Sequence, residues 1–205
     1  GFVLDFPPDA RAEVARIIRS NAPANAIDVR GGDVRDLRSL LWSSIDNRDT
    51  RDLDQVEVCE PLGDGSARLR LGVADVDRLV PKDSELDRRA ASNTTSLYTA
   101  VETFPMLPEE LSNDLTSLIE GAERLVVVVD LVVDAHGEVD DVSVYRARVV
   151  NRAKLAYDDV GLWLAGAGAA PAEFAAVEGL EEQIRPQDDL ARRLRVRRHE
   201  RGALD

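Results

Sequence analysis

At 205 residues, with a net charge of −13 and a single cysteine, the chain has the size of one ordinary domain and enough length to bury a core. That composition excludes an internal disulfide, and no stretch approaches the roughly 20 apolar residues of a membrane-spanning helix. The acidity argues against simple non-specific nucleic-acid binding, which calls for a basic surface. The first residues, Gly1 to Phe6, run at once into prolines and charges, unlike a signal peptide. Together with the lone Cys59, expected to be a small buried strand residue, this fits a reducing cytoplasm and no membrane association.

In chain order, Val14, Ile17 and Ile18 recur at helical spacing after Phe6-Pro-Pro-Asp9, with Asp9 as the expected cap. Asn21 to Gly32 reads as a loop, so residues 1–32 form an N-terminal helix and linker and residues 33–205 the main domain. Val56–Pro61 and Arg68–Ala74 alternate apolar and polar residues around Gly63-Asp-Gly65, which predicts a β-hairpin. Short helices are expected over Ser84–Ser92, capped by Asp83 or Ser84, and over Pro108–Leu115. Leu125–Val133 is apolar enough for a central strand, turned by Asp134-Ala-His-Gly137 and returning over Glu138–Ala147. His136 on that turn reads as a solvated side chain. Tyr157–Ala165 and Ala172–Gln183 are expected as helices on either side of a Gly-Ala linker. Asp188–Arg201 closes the chain as a helix whose basic block, Arg192 to Arg201, is a solvated face with Leu194 turned inward. The elements imply an α+β domain with a mostly antiparallel sheet and flanking helices.

The densest chemistry lies at Ile45–Val56, where Asp46, Asp49, Asp52 and Asp54 fall inside nine residues. Converging carboxylates repel one another unless they stay spread in water or hold a hard divalent cation such as Mg²⁺. Asp52 and Asp54 are two apart and face the same side of an extended segment, while Asp46 approaches from the other end of the loop. A calcium loop starting at Asp46 and ending at Glu57 fails, because Arg48 and Arg51 occupy positions that need an oxygen ligand and a glycine. No nucleophilic serine or cysteine constellation is visible.

Several ordered motifs surround this cluster. Arg35-Asp-Leu-Arg38 leads into Ser44-Ile-Asp46 and Arg51-Asp-Leu-Asp-Gln55. Val73-Ala-Asp-Val76 is followed by Val80-Pro81 and Leu86-Asp87, and Ser96-Leu-Tyr98 by Phe104-Pro-Met-Leu-Pro108 and Leu111-Ser112. In order and spacing these resemble the catalytic domain of the ribonuclease II/ribonuclease R (RNB) exoribonucleases, over roughly residues 30 to 204.

The resemblance implies a 3′→5′ exoribonuclease that hydrolyses single-stranded RNA with Mg²⁺, or alternatively Mn²⁺, releasing nucleoside 5′-monophosphates. It assigns Asp46, Asp52 and Asp54 to the metal, with Asp54 and Asp52 catalytic and Tyr98 stacking on the RNA end. The family's fourth aspartate is Gln55 here, which offers a carbonyl oxygen but no charge. Some family branches carry Asp-Leu-Asp-Gln, so Gln55 alone does not imply inactivity. Asp49 falls outside the pattern and reads as a solvated loop carboxylate. Asp75 and Asp77 read as structural, and Pro105 to Pro108 as scaffold. The arginine motif of the family's second catalytic half and its flanking RNA-binding barrels have no counterpart here. The chain is therefore expected to be the N-terminal part of the catalytic domain, inactive alone, whose partners are RNA, the rest of that domain and the flanking domains. The alternative reading is a non-catalytic RNA-binding or scaffold protein on the same fold; a purely structural acidic domain is a third.

Overall fold

The structure is a computed structural model that describes residues 4–20, 34–99 and 101–203. The expected Asn21–Gly32 loop lies outside the described residues. Helix α1 spans Pro8–Ser20 and buries Ala10, Glu13, Val14 and Ile17. Two details differ from the sequence reading. The helix starts at Pro8, whose missing N–H costs nothing in a first turn, so Asp9 lies inside that turn rather than capping it. Ile18 is exposed, because the buried stripe runs through positions 10, 13, 14 and 17.

The strands are β1 (Arg35–Asp36), β2 (Ser43–Asp46), β3 (Gln55–Pro61), β4 (Ala67–Ala74), β5 (Leu97–Tyr98), β6 (Thr103–Phe104), β7 (Glu123–Val133), β8 (Val139–Val150) and β9 (Ala153–Ala156). Seven of them form one mixed sheet in the order β1-β8-β7-β4-β3-β2-β9, while β5 and β6 pair apart from it. Both expected hairpins are present, β3 with β4 and β7 with β8, each antiparallel. Their turns follow from local chemistry. Gly65 and Gly137 take positive φ, and the Asp134 carboxylate accepts the His136 and Glu138 backbone N–H groups at 2.8 Å. Two parallel pairings close the edges, β1 on β8 and β2 on β9.

Among the helices, α2 (Glu85–Asn93) is capped by Ser84, whose hydroxyl accepts the Asp87 N–H at 3.2 Å. Asp87 reaches back to the Asp83 N–H at 2.7 Å, close to a capping box. The Glu13 carboxylate accepts the Leu86 N–H at 3.0 Å, so α1 satisfies a further donor at the start of α2. The expected helix after Pro108 winds more widely over Leu111–Leu115, with the Thr116 N–H bonding five residues back to Leu111.

Helix α3 spans Tyr157–Leu164. The single helix expected over Ala172–Gln183 is instead two. A short α4 (Ala172–Ala176) ends before Gly179, which takes φ 82° and starts α5 (Leu180–Glu200). Helix α5 passes through Pro186 without ending, so the separate helix expected from Asp188 is its second half. Its inward residues Leu180, Ile184 and Leu190 are almost fully buried, and that packing outweighs the lost proline hydrogen bond.

The sheet has two covered faces. On one, Trp42, Val56, Val58, Val126, Val128 and Val149 form a core. On the other, α5 lies over β3, with Leu190 against Cys59, Leu69 and Val133, and Leu194 packed at its margin. Among the described residues, no helix is long and apolar enough to cross a membrane.

Candidate active site

The carboxylate loop, residues 47–54, joins β2 to β3 and is held by distant residues. The Ser117 hydroxyl donates to the Arg51 carbonyl at 2.7 Å and accepts the Leu53 N–H at 3.2 Å. The Leu118 N–H bonds the Leu53 carbonyl at 2.8 Å. On the other flank the Lys154 ammonium donates to the carbonyls of Arg48 at 2.9 Å and Thr50 at 2.6 Å. Arg48 pairs with Asp159 at 2.8 Å. Leu53 is turned into the core, so Asp52 and Asp54 on either side of it are left facing outward.

Asp46 ends β2, half-buried, next to the start of β3. Asp52 is half-buried, whereas Asp54, Gln55 and Asp49 are exposed. One Asp46 oxygen, Oδ2, is buried with no hydrogen-bond partner. Burial raises the Asp46 carboxyl above its ordinary range, and the charges of Asp54 and Asp52 add to this. The Ser44 hydroxyl and Lys154 act against it. Tyr98 is 64 % exposed on β5 and its hydroxyl donates to Asp52 Oδ2 at 2.6 Å. That bond, ahead of partial burial, raises the Tyr98 phenol. Two candidates 46 residues apart are thus in direct contact.

Two neighbours were missed by sequence reasoning. Glu57 lies on β3 opposite Ser43, 8 % exposed, with Oε2 buried and unpartnered. Burial, then the charges of Asp46 and Asp54, push its carboxyl up to about 7. Alternation between Val56 and Val58 makes Glu57 look like a solvent-facing position, and only the covering helix α5 makes it an interior one. Tyr157, the first residue of α3, follows β9, whose Ala156 pairs with Asp46. Partial burial raises its phenol, and the charges of Asp46, Glu57 and Asp54 add to the effect.

The donor set suits a hard divalent cation in kind. It consists of carboxylate oxygens, one of which, Asp46 Oδ2, is buried with no hydrogen-bond partner. As the side chains stand, no three acidic, histidine or cysteine groups among the described residues lie close enough together to hold one ion. One Asp52 oxygen is occupied by Tyr98, so coordination by Asp46, Asp52 and Asp54 requires side-chain rotation.

The other singled-out residues have structural settings. Asp75 is buried and takes the Arg146 guanidinium at 2.7 Å, with Asp77 on the same arginine at 3.0 Å. Cys59 is buried and its thiol is pushed up to about 11 by that burial. Much of the basic block is neutralised, with Arg192 on Asp188, Arg193 on Asp189 and Arg197 on Glu138.

The RNB domain matches residues 34–205. Ribonuclease R of Thermotoga maritima is 34 % identical over 88 % of this chain and 26 % of its own length. Exoribonuclease 2 of an Enterobacter species is 35 % identical over 77 % of this chain and 24 % of its own. The chain thus spans about a quarter of the length of these curated relatives. The structure of Mycoplasma genitalium RNase R in complex with ribose-methylated single-stranded RNA superposes with a TM-score of 0.79 at 25 % identity, over 99 % of this chain and 33 % of that one. A yeast pseudonuclease shares the fold, with a TM-score of 0.63 at 17 % identity over 93 % of this chain and 25 % of its own. A domain match from residue 34 to the end, together with these relatives, shows that the chain belongs to the RNB family.

Proposed function

We propose that this chain is the N-terminal part of the catalytic domain of a cytoplasmic 3′→5′ exoribonuclease, with residues 1–32 an N-terminal helix and linker. Its substrate is single-stranded RNA, cleaved to nucleoside 5′-monophosphates. The observation that carries the reading is the direct contact between Tyr98 and Asp52 beside Asp46 and Asp54, in a member of the RNB family. Asp46, Asp52 and Asp54 would hold Mg²⁺, or Mn²⁺ in its place. When bound, such an ion polarises the scissile phosphate and lowers the pKa of water.

The chain's own residues divide the remaining work. Asp54, exposed on the carboxylate loop, would be the catalytic carboxylate nearest the scissile bond. Asp46 and Asp52 present their oxygens from the two ends of a loop that Ser117 and Lys154 hold in place. The exposed Tyr98 ring offers a face on which a terminal base stacks, whatever its identity. The phenol hydroxyl fixes that ring relative to Asp52. The rest of the catalytic domain and flanking RNA-binding domains complete the grip on the strand.

A second reading, a non-catalytic RNA-binding protein, is favoured by Gln55 in place of the fourth aspartate. Digestion of 5′-labelled single-stranded RNA by the full-length protein, with and without Mg²⁺, separates the two. Metal-dependent shortening from the 3′ end, abolished by Asp54→Asn without loss of RNA binding, is expected. RNA left intact at concentrations where the protein binds it would establish the binding module instead.

A further inference from the structure

We propose that the open part of the sheet face beside α5, on β7 and β8, is the docking surface for the chain that follows Ala203, which covers it with an apolar segment. The inference rests on the reading above that these residues are the first part of a longer catalytic domain. Strand register defines the surface. Cys59, Leu69, Leu131 and Val142 form one row across β3, β4, β7 and β8. Leu190 of α5 covers the β3 and β4 end of that row, whereas Val142 at its other end is 56 % exposed. In the rows beside it Val129 stands opposite Val144, 62 % exposed, and Val127 opposite Val73, 46 % exposed.

The residue pattern marks this face as one for covering. Strand β7 reads Leu125-Val-Val-Val-Val-Asp-Leu-Val-Val133, apolar at nearly every position, as strands buried on both faces do. Strand β8 alternates here, with Asp141 and Ser143 on one side and Val142 and Val144 on the other, and the valine side adjoins the β7 apolar row. An apolar surface of this kind left in water is the mark of an interaction site. RNA does not suit it, because the patch is aliphatic and Arg146 at its border is taken up by Asp75 and Asp77.

The end of α5 selects the occupant. Arg197 and Arg201 both pair with Glu138, the residue before β8. The turn at Gly137 lies so close to the helix that an added Cβ would meet the Arg193 carbonyl oxygen at 2.9 Å. At Gly202 the chain takes φ 88° and ends the helix, with the Ala203 N–H bonded to the Arg198 carbonyl. The polypeptide therefore leaves α5 at the corner of the sheet where β8 begins, next to the open valines. The curated relatives continue far beyond the matched region, of which this chain spans 26 % and 24 % of their lengths. A segment tethered at that corner meets the face at an effective concentration on the order of millimolar, which a separate partner has to match by affinity.

Thiol labelling of the full-length protein with a maleimide, in the variants Asp141→Cys, Val142→Cys, Ser143→Cys and Val144→Cys, reads the cover directly, since Cys59 is buried. Positions 142 and 144 are expected to react at least about 10-fold more slowly than 141 and 143, because a covered thiol reacts only through local opening. A diazirine amino acid at position 144 is expected to cross-link within one chain, to residues beyond 203. Equal labelling at all four positions would overturn the proposal. So would cross-links to residues 1–203, within one chain or between two chains with protection lost on dilution, the latter making the face an interface between copies. RNA digestion by the unaltered protein reports separately on the exonuclease reading. Open labelling in a protein that shortens RNA removes the docking alone, and protection in one that leaves RNA intact removes the exonuclease alone.

Discussion

Glu57 makes the metal-free chain pH-sensitive in a direction opposite to that of an ion-paired acid. Its carboxyl is pushed from an ordinary 4.5 up to about 7, by burial first and then by Asp46 and Asp54. Between those values the folded chain holds a proton that the unfolded chain has released. The folded state is therefore favoured most below pH 4.5, and that advantage is lost as the pH rises through 7. The gap amounts to about 3 kcal/mol at ~1.4 kcal/mol per pH unit. Glu57→Gln removes the titration while keeping the shape. With chelator present, urea unfolding followed by the fluorescence of Trp42 and Trp163 should give similar stabilities for variant and parent at pH 4. At pH 8 the variant should be more stable by about 3 kcal/mol, a midpoint rise of roughly 1–2 M urea. A difference that stays constant from pH 4 to 8, or a variant less stable at pH 8, would refute the reasoning.

Three further outcomes are expected. Tyr98→Ala should weaken single-stranded RNA binding by about 1–3 kcal/mol in fluorescence anisotropy while Tyr98→Phe loses little, because the ring does the stacking; equal losses would transfer the role to the Asp52 hydrogen bond. Gly72→Ala should cost about 1–3 kcal/mol in urea unfolding, since the added carbon meets Val56 at 3.1 Å, Val126 at 3.3 Å and Trp42 at 3.4 Å in the core. Pro186→Ala should raise the thermal midpoint, by about 2 kcal/mol of stability, as α5 regains an N–H donor in its interior; an unchanged midpoint would mean that the proline costs the helix nothing at that position.

The two hairpins were legible in the sequence because their signals are local. Alternation on both sides of Gly63-Asp-Gly65 and of Asp134-Ala-His-Gly137 fixes strand, turn and register within a few residues. The parallel edges were not, since β2 meets β9 across more than a hundred residues and neither strand exceeds four. Pro186 reads as a break between two helices, yet the buried stripe Leu180, Ile184, Leu190 continues through it, and tertiary packing decided the outcome. At the site, the acidic loop and Tyr98 were visible as motifs, but their contact was not. Glu57 escaped notice because a glutamate between two valines looks like the wet side of a half-buried strand. Its burial depends on α5, more than 120 residues later.

The loop that carries Asp49, Asp52 and Asp54 has little local structure to fold upon. Its anchoring bonds reach residues 64, 66, 104 and 106 positions away, from Ser117 and Lys154. Closing such long stretches of chain costs entropy before any contact repays it, so contacts of this separation form late. The carboxylates are thus kept apart, in water, until the sheet from β2 to β9 is assembled around them. Like charges meet only once the surroundings that can hold them exist. In pulse-labelled hydrogen exchange during refolding, the Leu53 and Leu118 amides should gain protection after those of the β7–β8 hairpin; protection in the reverse order would mean that the loop seeds the fold.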